Sequence, residues 1–345
     1  MLTRALYIDG ARKAAVRAVA VPEPRTDQVR LRVHHVGICG SDLHYYDEGA
    51  NGEFVVREPL IPGHEMSGTI DHDPTGALAA GTPVTVHPAS FGTKDDRFPE
   101  SPQLWPGGSY LGSASTWPHT QGALSELLLV DRTMVRRLPP GLPLRRAVLA
   151  EPLAVALHAL EQARRVGAEI EGARALVCGA GPVGLLTIAA LADAGANEIV
   201  ATDVLPGPLA RARVQGATQT VDVSRKELPA SAFDVVMECS GASAAISSAF
   251  AAARPAGVVT QVGMIPQGPQ PVDFTPLIAK EVRYAGTFRF FGEIDTAVEL
   301  LARRPGIEAV ITHELPPDDP TALFGVARDA ERAGKVITSS WGSAI

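Results

Sequence analysis

The sequence predicts a two-domain α/β protein in which a β-rich part encloses a doubly wound parallel sheet. Three observations lead there. Up to about residue 145, short period-two runs are separated by Gly and Pro at the intervals of an all-β domain. From 147 to 285, strand-length apolar runs alternate with Ala-rich helical segments, the pattern of a parallel sheet built from βα units. The chain's 345 residues also exceed what one ordinary core organises.

In chain order, "QVRLRVHHVGIC" alternates apolar and polar residues, and "EMSGTID" and "GTPVTVHPA" are short β-branched runs. Residues 88 to 122 carry Pro88, Pro99, Pro102, Pro106 and Pro118 among glycines and serines, which predicts a long irregular excursion. "RRAVLAEPLAVALHALEQARRV" has helical spacing, with Glu151-Pro152 read as an interruption. "ARALVCGAGPVGLLTIAALADAG", "NEIVATDV", "FDVVMECSGA", "SAAISSAFAAARPAGVVTQVGM" and "EVRYAGTF" follow as alternating strands and helices. Two further helices are expected, at "GEIDTAVELLARRP" and "TALFGVARDAERAG".

The formal charge of -7 and the scattered arginine pairs leave no basic stripe, which argues against a nucleic-acid partner. Cys39, Cys178 and Cys239 are too far apart to suggest a disulfide framework. The opening residues "MLTRALYIDGARKAAVRAV" lack the apolar core and cleavage site of a secretory signal, and no window reaches the ~18 continuous apolar residues of a membrane span. A soluble cytoplasmic protein is expected.

Gly179, Gly181 and Gly184 stand in GxGxxG order after an apolar strand and at the start of a helix, the context that gives this triplet meaning. Gly179 serves the tight turn, Gly181 the approach of a pyrophosphate, and Gly184 the packing of helix on sheet. Pro182 and Val183 complete the loop, whose helix N-terminus offers free N–H groups to phosphate. Asp203, nineteen positions beyond Gly184, can accept from both ribose hydroxyls and repels a 2'-phosphate, so NAD is favoured over NADP. The segment 147–285 is therefore read as a Rossmann domain.

"GICGSDLHYY" places Cys39 among polar neighbours, "PLIPGHEMSG" supplies His64 and Glu65, and "LAEPLAV" supplies Glu151. Each is read at a loop or a break. One thiolate, one imidazole and one carboxylate suffice for a catalytic zinc that keeps its fourth position open. With "VCGAGPVGLL", "ECSGA" and "GTFRF", these strings resemble the medium-chain, zinc-dependent alcohol dehydrogenase family over nearly the whole chain. Within it they are most similar to the polyol branch of sorbitol and L-idonate 5-dehydrogenases.

The resemblance implies a GroES-like β-rich catalytic domain at 1–146 and 286–345, with the Rossmann NAD-binding domain at 147–285 inserted in it. It implies one catalytic zinc per chain on Cys39 and His64, with Glu65 or Glu151 as the third protein ligand. Ser41 matches the hydroxyl that takes the alcohol proton, His44 the histidine that passes it to solvent, and Tyr45 and Arg289 residues of the substrate pocket. Val262, Gly263, Met264, Thr287, Phe288 and Arg289 fall on the cofactor side. It also implies a homodimer or homotetramer joined through Rossmann edge strands.

Three departures bear on this. Residues 88 to 122 hold no cysteine where relatives carry four around a structural zinc, so no structural zinc is expected; Asp95, Asp96, Glu100 and His119 are poor substitutes. Pro208 stands where NAD-dependent relatives often have an arginine, and Arg211 and Arg213 are read as solvated helix charges. Phe290 replaces the tyrosine of sorbitol dehydrogenases, which favours a sugar acid, with Arg57, His34 and Arg289 as candidates for its carboxylate. The expected reaction is oxidation of a secondary alcohol of a polyol or sugar acid, L-idonate at C5 first, with NAD. The alternatives are a sorbitol- or 2,3-butanediol-type dehydrogenase and a non-catalytic NAD-binding protein.

Overall fold

The computed structural model describes residues 2–339 and Trp341. The chain forms two compact units, one from residues 1–151, 294–329 and 335–345, the other from 152–293 and 330–334. Both divisions fall later than the expected boundaries at 146 and 285. The nearby helix Ala150–Arg165 and the Glu293–Arg303 helix each contribute their first residues to the neighbouring unit.

The first unit is organised by the strand Gln28–Gly37, whose Val29, Leu31 and Val33 are buried, as the alternation of "QVRLRV" requires. Arg30 also points inward, held by Asp71 at 2.7 Å and Glu23 at 3.1 Å. The strand pairs antiparallel with Glu65–His72, Leu127–Asp131 and Lys335–Thr338. This register decides what meets at its end. Gly37 lies opposite both Glu65 and Ile337, and the chain then turns through Ile38 and Cys39 into the helix Gly40–Glu48.

That helix has its N-cap at Cys39, whose backbone N–H donates to Asp42 Oδ2 at 2.9 Å. It ends at Gly49, a left-handed residue with φ 70° whose N–H returns to Tyr45 O. A side chain there meets the αL penalty and stands 3.0 Å from Ala11 N. Gly49→Ala is expected to destabilise by about 1–2 kcal/mol, read as a lower urea midpoint.

The second unit holds six parallel strands in the spatial order Gln219–Asp222, Glu198–Asp203, Arg174–Cys178, Phe233–Glu238, Ala253–Gln261, Arg283–Gly286. The order reverses beside Arg174–Cys178, so the glycine loop that follows this strand lies at the switch point where such sheets bind ligands. Leu176, Val200, Phe233, Val236, Phe250 and Val259 pack the core on one face. Apolar strands with Ala-rich helices therefore do form the doubly wound sheet.

Two expectations about local structure are corrected. Glu151-Pro152 is no interruption: both lie in the first turn of Ala150–Arg165, where the missing proline N–H costs nothing, and the break falls at Val148–Leu149. Glu65 likewise lies in a strand and not in a loop. The excursion 88–122 is mostly irregular, with the short strands Ala89–Ser90 and Ser109–Tyr110 and one 3₁₀ turn at Pro102–Leu104.

Candidate metal centre and cofactor loop

Cys39, His64 and Glu65 offer ligand atoms that all lie within 4.8 Å of one another. His64 and Glu65 are buried and Cys39 is half-buried. Gly37 makes room for the group, since a Cβ there would stand 2.0 Å from Glu65 Oε2. Glu65 Oε1 accepts from Lys335 Nζ at 2.6 Å, while Oε2 is buried without a hydrogen-bond partner. A buried carboxylate oxygen beside a thiol and an imidazole is what a zinc ion would satisfy.

Glu151 lies close by in a different arrangement. Its Oε1 accepts from Tyr110 Oη at 2.5 Å, and the Tyr110 ring stands edge-on to His64 with centroids 5.4 Å apart. Burial, together with the Glu65 charge, raises the Glu151 pKa despite the His64 cation and the Tyr110 hydrogen bond. Burial disfavours a charged His64, but Cys39, Glu151 and Asp42 outweigh it and push its pKa up to about 10. The groups around His64 thus favour positive charge at its position.

Sequence reasoning missed three supporting residues. Asp42 is fully buried and accepts from the N–H groups of Cys39 and Gly63, which ties together the segments carrying the thiol and the imidazole. Its position three after Cys39 is a capping-box signal that could have revealed it. Lys335 is 2% exposed and also donates to Ile38 O at 3.1 Å. Neither Lys335 nor Tyr110 carries a local sequence signal.

Of the other expected residues in this unit, Ser41 is half-buried at the start of the helix, and its hydroxyl has no hydrogen-bond partner among the described residues. His44 is 57% exposed and faces Glu48 at 3.1 Å. Tyr45 is buried, with its hydroxyl 3.3 Å from Ser113 Oγ and accepting from Ala114 N at 3.0 Å. Three of the four residues weighed as a substitute metal site have other partners: Asp95 pairs with Arg97, Asp96 with Lys94, and His119 Nε2 accepts from Arg57 N.

In the second unit the three glycines differ as their spacing suggests. Gly179 has φ 89°, a Cβ on Gly181 would meet nothing within 4 Å, and one on Gly184 would stand 2.0 Å from Gly179 O. The open cradle at Gly181 lies at the N-terminus of Pro182–Asp193, which no side chain caps. These features fit a dinucleotide pyrophosphate.

Asp203 Oδ2 accepts from Ala180 N at 2.9 Å, and Oδ1 from Val204 N and Leu205 N. The loops bearing Val262, Gly263 and Thr287 are tied by Val262 N and Gly263 N to Glu238 O and by Thr287 N to Gln261 O. Met264 is 79% exposed and Phe288 43% exposed, with Arg289 stacked on the Phe288 ring at 4.8 Å, while Phe290 is buried. Pro208 is buried in its helix. Arg211 is not merely solvated: it donates to the carbonyls of Ala330 and Glu331.

Comparison with known proteins gives this arrangement a family. Residues 25–140 match the alcohol dehydrogenase GroES-like domain, and residues 182–303 match the zinc-binding dehydrogenase family. The chain is 32% identical over 338 residues to L-idonate 5-dehydrogenase (NAD(P)(+)) of Escherichia coli K12, covering 94% of this chain and 96% of that protein. It belongs to the NAD(P)-dependent, zinc-binding medium-chain alcohol dehydrogenases, with a GroES-like domain and a Rossmann domain.

Sorbitol dehydrogenase of Homo sapiens is 30% identical over 341 residues, covering 92% of this chain and 91% of that protein. The crystal structure of the E. coli L-idonate enzyme superposes with a TM-score of 0.92 at 30% identity, covering 98% of each chain. Among the described residues, no helix is long and apolar enough to cross a membrane.

Proposed function

We propose that the protein oxidises a secondary alcohol of a sugar acid, L-idonate at C5 first, with NAD as hydride acceptor. The observation that carries the reading is the group of Cys39, His64 and Glu65 with the orphaned Glu65 Oε2. These three would hold one catalytic zinc, with Glu151 beside it as a carboxyl hydrogen-bonded to Tyr110. Zinc held there would supply a Lewis acid to the substrate hydroxyl, and a nicotinamide dinucleotide held at the glycine loop would supply the hydride acceptor.

The chain's own residues do the rest. The unpartnered Ser41 hydroxyl accepts the alcohol proton as it releases its own, and the exposed His44 imidazole hands the released proton to water. Tyr45, fixed by Ser113 and Ala114, orients the substrate chain. Asp203 favours NAD by its negative charge beside the glycine loop. A neutral polyol is the second reading, because sorbitol dehydrogenases match the chain over a nearly equal length.

A homodimer or homotetramer fits the exposed edge strand Arg283–Gly286 with Ile278, Tyr284, Phe288 and Phe291 near it, since apolar edges need cover. A cytoplasmic location fits the free cysteines. The test is metal content per chain with a screen of polyols and aldonates against NAD and NADP. One zinc and preferred L-idonate turnover are expected, and Asp203→Ser should raise the NADP-to-NAD activity ratio by about ten-fold. No zinc and no turnover of any alcohol would overturn the reading.

A further inference from the structure

In the first unit, Glu53, Phe54, Arg57, Ser115, Thr116 and Trp117 line a cavity of about 320 Å³. His119 fixes part of its wall. His119 is 6% exposed and joins the two lining segments: Nε2 accepts from Arg57 N at 3.0 Å, its own N–H donates to Glu58 Oε1 at 2.6 Å, and Nδ1 faces Thr116 O at 2.9 Å. The backbone of Arg57 is thus fixed. Arg57 is exposed, and its guanidinium has no ion pair or hydrogen bond among the described residues.

A hydrogen-bonded chain leads from the proposed substrate residue to this cavity. The Tyr45 hydroxyl lies 3.3 Å from Ser113 Oγ, which donates to Ser115 Oγ at 3.0 Å. Ala114, which also lines the cavity, is four residues from Tyr110 beside His64, within about 15 Å along the chain.

We propose that this cavity receives the far end of the substrate and that Arg57 binds a carboxylate there, so that Arg57 selects sugar acids over neutral polyols. The inference rests on the proposed alcohol oxidation and specifies its substrate. A guanidinium on a fixed backbone presents two parallel N–H groups to a planar carboxylate. Trp117, 66% exposed, and Phe54 offer apolar faces to the C–H sides of a polyhydroxy chain, while Ser115 and Glu53 address its hydroxyls. With one Arg and one Glu in the wall, a monoanion suits the cavity better than a phosphate dianion.

The test uses the metal-loaded protein with L-idonate, sorbitol and sorbitol 6-phosphate. It reads the ratio of kcat/KM between substrates and, separately, quenching of tryptophan fluorescence by each. Arg57→Gln should lower the idonate-to-sorbitol ratio by about ten-fold, mainly through KM for idonate, and weaken idonate quenching equally. Arg57→Lys should restore part of both, whereas Arg225→Gln, at an exposed position in the other unit, should leave the ratio as in the parent. An unchanged ratio in Arg57→Gln overturns the inference and leaves alcohol oxidation standing. So does a preference for sorbitol 6-phosphate that is lost with Arg57. A parent that oxidises no alcohol but shows Arg57-dependent idonate quenching overturns the proposed reaction and supports the carboxylate site.

Discussion

Cys39→Ala is expected to lose its zinc and about 10³-fold of its turnover. The size follows from what the thiolate contributes. Cys39, His64 and Glu65 form the single group of three metal-ligand side chains found among the described residues, so removing the sulfur leaves two donors. Two donors do not make a catalytic zinc site, which uses three protein ligands and an open position.

The fold should survive, because the helix after Cys39 is also capped by the Asp42 carboxylate on the residue-39 backbone N–H, a bond that does not need the thiol. Elemental analysis should give about one zinc in the parent and none in the variant, with matching circular dichroism. Chelated parent should regain activity on adding zinc, and the variant should not. A Cys39→Ala protein that keeps both zinc and turnover would remove the metal assignment.

Cys39 and His64 could be read from sequence because polar, glycine-flanked strings are unusual surroundings for a buried thiol or imidazole. The glycine loop was legible for a similar reason: turn, approach and packing are all local demands, and Gly179, Gly181 and Gly184 each meet one of them. The surroundings of Glu65 and Glu151 were not local: a strand register places Glu65 opposite Gly37, and Tyr110, 41 positions away, donates to Glu151. Arg57 was one cation among three candidates, and only the tertiary fold separates it from His34, which lies in the strand Gln28–Gly37 near Thr69.

Lys335 was the least legible, since it lies 270 positions from Glu65 and reads in sequence as an ordinary strand residue. The fold nevertheless puts its ammonium in the interior, 2.6 Å from Glu65 Oε1. Burial disfavours that charge, but Glu65, Cys39 and Glu151 outweigh it and hold the Lys335 pKa above the usual lysine value. Lys335→Met keeps much of the volume and removes the charge, leaving Glu65 buried with neither oxygen paired in the zinc-free protein. Loss of one partner of a buried ion pair costs about 3–5 kcal/mol.

The zinc-free variant should therefore unfold at a much lower urea concentration than zinc-free parent. In the zinc-loaded protein the loss should be smaller, because the ion itself would counter the Glu65 charge. The stability gap between loaded and chelated protein should then widen in Lys335→Met. Adding Glu65→Gln should recover part of the zinc-free loss, since the uncompensated charge is gone. Equal urea midpoints for Lys335→Met and parent in chelator would show that Lys335 is not the counter-charge to Glu65. A gap that stays constant would show that the lysine and the ion do not serve the same carboxylate.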